Sequence, residues 1–220
     1  MTDPEDIAAP AGRFITLEGG EGSGKSTLAR HLSDYLMQSG LTVVTTREPG
    51  GTPLAEAVRS LVLTPPGETR WAPLAEALLM NAGRAEHLHT LIRPALARGD
   101  WVVCDRFSDS TRAYQSVGAG NAPETLGTLE RLVCGPTRPD LTLLLDAAPE
   151  HLLARRKGRG APVDVYERED LEFHRRIRDA FLQIAMEAPD RVAVLDATLD
   201  EANLASAAFA VLRDRLGVYG

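Results

Sequence analysis

Short apolar runs alternate along the chain with stretches whose apolar residues recur every three or four positions. Five of the runs are continuously apolar, as is typical of strands that are covered on both faces of a sheet. The runs are Arg13–Glu18, Thr42–Arg47, Trp101–Asp105, Leu141–Asp146 and Arg191–Asp196. Because strands that alternate with helices are joined by right-handed crossovers, the pattern predicts a five-stranded parallel sheet.

The stretches between the runs predict helices on both faces of that sheet, and therefore an α/β fold. Leu28, Leu32 and Leu36 fall on one stripe, and Gly40 is a typical C-terminal stop. A longer helical stretch extends from about residue 73 to residue 98, and Pro94 is expected to interrupt it. The apolar residues expected to make core contacts in that stretch are Leu74, Leu78, Ala82, Leu88 and Leu91. A similar pattern precedes it, at Leu54, Val58, Leu61 and Val62.

Length and composition favour a single soluble domain. The chain has 220 residues, of which 44% are hydrophobic and 25% are charged, close to the averages for globular proteins. We interpret residues 1–12 as a flexible N-terminal tail and residues 13–220 as one domain. The N-terminus does not have the pattern of a secretory signal, and no apolar run approaches the ~20 residues that cross a bilayer. We therefore expect a cytoplasmic protein that does not bind membranes.

The charge balance bears on the class of ligand. Twenty-four Lys and Arg residues against thirty-one Asp and Glu residues give a formal net charge of −7. This acidity argues against a nucleic-acid-binding protein, but local basic groups can still attract a small anion. Cys104 and Cys134 are the only cysteines, and their spacing matches neither a metal site nor a disulfide framework.

A phosphate-binding loop is the strongest local signal. Residues 19–26 read GGEGSGKS and match the pattern G-x-x-x-x-G-K-[ST] between a predicted strand and a predicted helix. The glycines let backbone N–H groups converge on phosphate oxygens, Lys25 can reach the β- and γ-phosphates, and Ser26 can ligate Mg²⁺. The loop by itself predicts only that a nucleoside triphosphate binds. The predicted nucleotide-binding residues are Gly19, Gly20, Glu21, Gly22, Ser23, Gly24, Lys25, Ser26 and Thr27.

Several ordered sequence blocks make the chain resemble the thymidylate kinases from Phe14 onward. The blocks are FITLEGGEGSGKST at 14–27, REPGGT at 47–52, ALLMNAGR at 77–84, DRFSDSTRAYQ at 105–115 and RPDLTLLLD at 138–146. The resemblance implies a P-loop nucleoside-monophosphate-kinase fold and a homodimer. It also implies the phosphorylation of dTMP to dTDP, for dTTP synthesis, by direct in-line transfer from ATP with Mg²⁺.

Charged residues end two of the predicted strands. Arg47 lies at the carboxyl edge of the sheet, where open α/β folds bind ligands and where a guanidinium can hold a phosphate. Asp105 can hold Mg²⁺ or its waters, and Arg106 can neutralise phosphate charge. The alternatives are a surface arginine and an ordinary ion pair at the end of a strand. By resemblance, both arginines contact the acceptor phosphate and the Glu48-Pro49 bond is cis.

The resemblance also assigns residues to the base. Arg84 matches an arginine that hydrogen-bonds thymine, and Gln115 lies where a polar side chain meets the N3 edge of the pyrimidine. Ser110 is expected to assist them. Met80 stands where the family usually has a phenylalanine stacked on thymine, so its contact with the base is a separate expectation.

Two further residues are assigned to the sugar by the same resemblance. Tyr114 matches an aromatic residue that lies against the sugar, where it would crowd a 2′-hydroxyl and favour deoxyribose. Glu21 matches an acidic residue that accepts a hydrogen bond from the 3′-hydroxyl. These assignments imply selection for a deoxynucleoside monophosphate.

A basic, glycine-containing segment follows the fourth strand. Residues 155–160 read RRKGRG, which can be a solvated basic loop, a nucleic-acid patch or a mobile lid, and we interpret residues 155–168 as a lid. The phosphate loop contains no arginine, and bacterial members of this kind carry the catalytic arginine in the lid. Arg159 is the first candidate, with Arg155 and Arg156 as alternatives. The predicted catalytic residues are Lys25, Asp105, Arg106 and Arg159. The family's lid often reads Asp-Arg-x-Glu, and residues 164–167 here read DVYE.

Two other functions remain open at this stage. The first is a kinase for another nucleoside monophosphate or for a deoxynucleoside. The second is a nucleotide-dependent switch without catalytic activity. A GTPase switch is disfavoured because the chain has no Asn-Lys-x-Asp motif.

Overall fold

The five predicted strands form one parallel sheet in the computed structural model, which describes residues 12–157, 165–166 and 168–219. The strands are β1 (Phe14–Gly19), β2 (Val43–Arg47), β3 (Trp101–Asp105), β4 (Leu141–Asp146) and β5 (Val192–Asp196). Their order in the sheet is β2-β3-β1-β4-β5, and every neighbouring pair is parallel. Each strand begins and ends within one residue of its predicted range, so this part of the prediction is confirmed.

Helices cover both faces of the sheet, so the central strands β1, β3 and β4 are buried almost throughout, whereas the edge strands β2 and β5 are partly exposed. The helices are α1 (Lys25–Gln38), α2 (Pro53–Leu63), α3 (Pro73–His87), α4 (Arg93–Ala97), α5 (Ser108–Thr111), α6 (Pro123–Cys134), α7 (Pro149–Lys157), α8 (Leu171–Glu187) and α9 (Glu201–Leu216). Ile15 and Leu17 of β1 belong to a core that includes residues of α1 and α9. Phe14, on the opposite face, packs in a second core with Leu88 and Ile92. Among the described residues, no helix combines the length and the apolar character needed to cross a membrane.

The long helical stretch is interrupted close to Pro94, as predicted. Helix α3 ends at His87, a π-helical turn follows over Leu88–Ile92, and α4 begins at Arg93. Proline has no N–H to donate to the preceding turn, and one wider turn accommodates this loss.

Helix α3 presents a polar face to the interior, and the prediction of its core contacts is wrong in part. Leu74 and Leu78 are 49% and 48% exposed, and Ala82 is exposed as well, whereas Leu88 is buried as expected. The buried face of α3 carries, among others, Glu76, Asn81, Arg84 and His87. Polar groups can be buried in this way when hydrogen bonds satisfy them, and most of these side chains have partners from distant segments.

The strand order brings three sequence motifs to one edge of the sheet. Asp105 at the end of β3 is in register with Leu17 of β1 on one side and with Arg47 of β2 on the other. The phosphate loop leaves β1 at this edge, next to Asp105 and Arg106. The sheet itself therefore positions the residues considered below.

Candidate active site

A cleft of about 590 Å³ lies along the carboxyl edge of the sheet, where open α/β folds place their ligands. The predicted site residues that line it are Glu21, Gly22, Gly24, Lys25, Ser26, Thr27, Arg47, Met80, Asp105, Arg106, Ser110, Tyr114 and Gln115. Arg84 and Ser23 are buried next to these residues but do not line the cleft. Sequence reasoning did not identify several further lining residues, among them Glu48, Glu56, Arg59 and Tyr166.

The phosphate loop holds its lysine with its own oxygen atoms. Gly24, at the N-cap of α1, has φ +99°, a conformation that glycine adopts readily because it has no Cβ. The Nζ of Lys25 donates to the carbonyl oxygens of Gly19 at 3.1 Å and Gly20 at 2.8 Å. Burial, followed by the charge of Arg106, lowers the pKa of Lys25. The ammonium group is thus fixed at the start of the helix, beside the cleft.

A hydroxyl and a carboxylate meet where α1 begins. Ser26 Oγ donates to Asp105 Oδ2 at 2.6 Å, although the two residues come from different motifs. Oxygen ligands from a hydroxyl and a carboxylate are those that Mg²⁺ accepts in nucleotide-binding sites. The residues at this position therefore fit a magnesium ion.

Arg106 adopts an uncommon backbone conformation. Its φ of +73° is the only positive value at a non-glycine residue in the described part of the chain, and such strain costs ~1–3 kcal/mol. Its guanidinium donates to Ser110 Oγ at 3.0 Å and pairs with the Glu21 carboxylate of the phosphate loop. It also lies over the Tyr114 ring, 5.3 Å from the ring centroid. The surrounding contacts hold the cation between the phosphate loop and the segment after β3.

Glu18 anchors the segment that carries Arg106. The buried carboxylate accepts hydrogen bonds from the backbone N–H groups of Phe107 at 2.8 Å and Ser110 at 3.3 Å, and from Ser110 Oγ at 2.6 Å. Burial, with a smaller contribution from the charge of Asp109, raises the pKa of Glu18 to about 7. Sequence reasoning missed this residue. Its signal is an acidic side chain at the end of an otherwise apolar strand.

Helix α2 holds the side chain of Arg47, which lines the cleft at the end of β2. Its Nη2 donates to both carboxylate oxygens of Glu56, at 3.0 and 3.2 Å, and the N–H of Gly51 donates to the same carboxylate at 2.9 Å. The Gly51 hydrogen bond is the main reason why the pKa of Glu56 is lowered. Arg59, one turn after Glu56, donates to the carbonyl oxygen of Pro49 at 2.9 Å. The signal for the two missed residues is their i, i+3 spacing on the helix that follows the PGGT turn at residues 49–52.

Arg84 lies behind the cleft in a buried polar cluster. Its Nε donates to Glu48 Oε2 at 2.8 Å, and its Nη2 donates to the Phe107 carbonyl oxygen at 3.1 Å and to Thr111 Oγ1 at 2.9 Å. Its Nη1 is buried without a hydrogen-bond partner. The Glu48-Pro49 bond is cis, as the resemblance implies, and the other oxygen of Glu48 bonds His87 at 3.1 Å.

Gln115 lines the cleft from within a second polar cluster. Its Nε2 donates to Glu76 Oε1 and to Tyr166 Oη, both at 2.9 Å, while its Oε1 is buried without a partner. Tyr166 also packs edge-on against Tyr114, with ring centroids 5.2 Å apart. Met80 is buried on α3 and lines the same cleft. Tyr166 was missed, although it is the only aromatic residue of the predicted lid.

The described part of the lid gives the position of one candidate arginine. Arg155 Nη1 donates to the Ala197 carbonyl oxygen at 2.7 Å, and Arg155 does not line the cleft. Arg159 lies outside the described residues, and so do residues 1–11 of the predicted tail. Closer to α8, Arg70 donates to the Val165 carbonyl oxygen at 3.0 Å and pairs with Glu169.

Comparison with known proteins identifies the family of the chain. Residues 17–207 match the family model described as thymidylate kinase. The chain is 49% identical over 208 residues to the thymidylate kinase of Nitrobacter hamburgensis, covering 93% of this chain and 90% of that protein. It is 53% identical over 186 residues to the thymidylate kinase of Chromohalobacter salexigens, covering 84% and 88%. The chain belongs to the thymidylate kinase family.

A solved structure extends the likeness to three dimensions. The crystal structure of thymidylate kinase from Ehrlichia chaffeensis aligns with a TM-score of 0.75 at 36% identity, covering 93% of this chain and 99% of that chain. The predicted family, the P-loop nucleoside-monophosphate-kinase fold and the enzyme class are therefore confirmed. This thymidylate kinase family member is a phosphotransferase of the nucleoside monophosphate kinase type.

Proposed function

We propose that this enzyme transfers the γ-phosphate of ATP to dTMP, giving ADP and dTDP. The observation that carries the proposal is that one cleft joins a phosphate loop to a second anion-binding region. Lys25 and the N-terminus of α1 line one part of the cleft, and Arg47 and Arg106 are among the residues that line the remainder. In-line transfer needs two phosphates aligned and their charge neutralised, and this arrangement supplies cations for both.

The donor half of the proposed site is formed by the phosphate loop. Its backbone N–H groups bind the phosphates of ATP, and Lys25 neutralises charge between the β- and γ-phosphates. Ser26 and Asp105 would hold Mg²⁺, directly or through water. When bound, the ion stabilises the negative charge of the phosphate oxygens.

The acceptor half holds the phosphate and the sugar of dTMP. Arg106 binds the acceptor phosphate, and its left-handed backbone aims the guanidinium across the cleft towards the phosphate loop. Arg47, fixed by Glu56, binds the same phosphate from the other wall. Tyr114 lies against the deoxyribose, and Glu21 accepts from the 3′-hydroxyl.

The thymine base is bound by buried groups in the wall of the cleft and directly behind it. Arg84 and Gln115 each keep one polar atom without a protein partner, a donor on Arg84 and an acceptor on Gln115. Met80 contacts the face of the ring, and Ser110 supports this wall through its bond to Arg106. Buried polar atoms of this kind are normally satisfied, and a bound base supplies the missing partners.

A lid arginine completes the proposed machinery. Arg159 stabilises the charge that develops on the transferring phosphoryl group. The bond of Arg155 to the Ala197 carbonyl oxygen supports this choice, because it engages the Arg155 guanidinium outside the cleft.

The test is a coupled assay of ADP formation with dTMP, dUMP, dCMP, dGMP and thymidine as acceptors. We expect Mg²⁺-dependent ADP release with dTMP at a kcat/KM well above that for any other acceptor. Lys25→Ala serves as the inactive control for contaminating kinases. Equal turnover of a purine monophosphate, or ADP release that does not depend on the acceptor, would refute the proposal.

We also propose that the enzyme forms a homodimer through α2 and α3. The two helices pack against each other, and the residues that they leave exposed include Leu54, Leu61, Leu74 and Leu78. Exposed apolar residues grouped on neighbouring elements are typical of subunit interfaces. Sedimentation of Leu74→Glu/Leu78→Glu should show a monomer. Met186→Glu, on the exposed part of α8, should sediment like the wild type. A monomeric wild type would contradict the proposal.

A further inference from the structure

Three side chains form a closed hydrogen-bonded ring at the base-binding end of the cleft. Gln115 Nε2 donates to Glu76 Oε1 at 2.9 Å and to Tyr166 Oη at 2.9 Å, and the Tyr166 hydroxyl donates to Glu76 Oε1 at 2.7 Å. Gln115 is fully buried, and Glu76 is buried on the inward face of α3. Both hydrogens of the glutamine amide are therefore used inside the protein.

Glu76 determines which way the amide of Gln115 points. An ionised carboxylate only accepts hydrogen bonds, so the atom of Gln115 that contacts it must be the nitrogen. The reversed amide would place two acceptor oxygens at hydrogen-bonding distance, and the single hydrogen of the Tyr166 hydroxyl, which now goes to Glu76, could satisfy only one of them. The remaining atom, Oε1, is buried without a partner in a residue that lines the cleft.

We propose that Glu76 is a positioning residue that determines base specificity: it fixes Gln115 so that the amide presents an acceptor, not a donor, to the bound pyrimidine. The inference rests on the proposed function. Glu76 does not touch the reacting atoms, and it acts through Gln115.

The hydrogen-bonding pattern of the bases explains why this orientation matters. Thymine carries a donor at N3 and an acceptor at O4, whereas cytosine carries an acceptor at N3 and a donor at N4. An acceptor on Gln115 pairs with the N3–H of thymine and opposes the N3 lone pair of cytosine. Uracil has the same N3 and O4 groups as thymine, so this residue should not distinguish the two.

A second unsatisfied group nearby provides the complementary donor. Arg84 Nη2 donates to Thr111, the last residue of α5, and Arg84 Nη1 has no partner. A π-helical turn over Arg112–Gly118 continues from α5 and carries Gln115 one turn after Thr111. The Nη1 donor matches O4 of thymine and opposes the amino group of cytosine. Glu48 holds Arg84 in the same way as Glu76 holds Gln115. Each of the two side chains proposed to hydrogen-bond the base is therefore oriented by a buried carboxylate.

The test is Glu76→Gln, which keeps the size of the side chain but can either donate to or accept from Gln115. The amide of Gln115 is then free to reverse. We expect kcat/KM for dTMP and dUMP to fall together, and the ratio of dTMP to dCMP to fall roughly tenfold to hundredfold, as expected for one mismatched buried hydrogen bond. The KM for ATP should stay within about twofold of the wild-type value.

Glu86→Gln is the matched control, because Glu86 lies on the same helix and its carboxylate accepts from Thr90. This variant should keep the wild-type ratios for all three acceptors. A Glu76→Gln enzyme that loses activity equally with dTMP, dUMP and dCMP, with a lower melting temperature, would show that Glu76 is merely structural. An unchanged dTMP to dCMP ratio would also overturn the inference. If the wild type itself does not prefer dTMP, the proposed function fails instead.

Discussion

Replacing Glu18 by glutamine is expected to change the pH dependence of folding stability. The carboxylate is buried beneath the segment that carries Arg106, and burial raises its pKa from an ordinary value of 4.5 to about 7. The folded protein therefore binds this proton more tightly than the unfolded chain does. The stabilisation is complete below pH 4.5 and is lost as the pH rises through 7.

The size of the effect follows from the two pKa values. Between pH 5 and pH 8, titration of Glu18 alone should lower the free energy of unfolding of the wild type by about 2–3 kcal/mol. Glutamine has no proton to lose in this pH range, so the Glu18→Gln variant should not show this decrease in unfolding free energy with rising pH. At pH 5 the folded wild type carries Glu18 as the neutral acid, and glutamine can accept from the same N–H groups and donate to Ser110 Oγ, so the two proteins should have similar stability. At pH 8 the variant should be the more stable protein, by about 2–3 kcal/mol.

Equilibrium urea unfolding of both proteins at pH 5, 6, 7 and 8 measures this difference. Other titrating groups affect both proteins equally, so the quantity to plot is the difference in unfolding free energy between wild type and variant. Glu124→Gln, at an exposed position on α6, controls for a change in net charge. A difference that stays constant across the four pH values would refute the reasoning.

Three other predictions concern the proposed catalytic cleft. Lys25→Ala should lower turnover by ~10²-fold or more while the melting temperature changes little, and near-normal turnover would contradict the phosphate-loop assignment. Met80→Ala should raise the KM for dTMP but not for ATP, and Met80→Phe should preserve or tighten dTMP binding. If Met80→Ala weakens the binding of both substrates equally and lowers the melting temperature, Met80 belongs to the core. Arg159→Ala should lower kcat by ~10³-fold, more than it weakens dTMP binding, whereas Arg155→Ala should have a small effect. The opposite result would mean that the lid sequence has been aligned incorrectly with the family pattern.

The strands and the phosphate loop could be predicted from the sequence because their signals are local. A strand covered on both faces is continuously apolar, and the loop needs glycine where Gly24 has positive φ. Each of these requirements is met by neighbouring residues. Distant parts of the chain could therefore be ignored without changing the result.

The orientation of α3 could not be predicted because its partners are remote in sequence. Apolar periodicity assumes that polar residues face solvent, yet Arg84 is paired with Glu48 and Glu76 with Gln115, 36 and 39 positions away. Ion pairs and hydrogen bonds of this kind leave no periodic signal. For the same reason, Glu76 and Tyr166 were absent from the predicted site.

The connection between β2 and β3 is a long insert that contains none of the phosphate loop. Strands β2 and β3 are parallel neighbours, so residues 48–100 leave the sheet at its carboxyl edge after Arg47 and rejoin it at the amino edge, where Trp101 lies beside Val43. This insert carries Glu48, Met80 and Arg84, whereas the phosphate loop and α1 precede it. Under the proposed function, substitutions in this insert should alter contacts to the base without changing a residue of the phosphate loop. Arg106, Tyr114 and Gln115, which follow the insert, complete the acceptor half and would have to change with it.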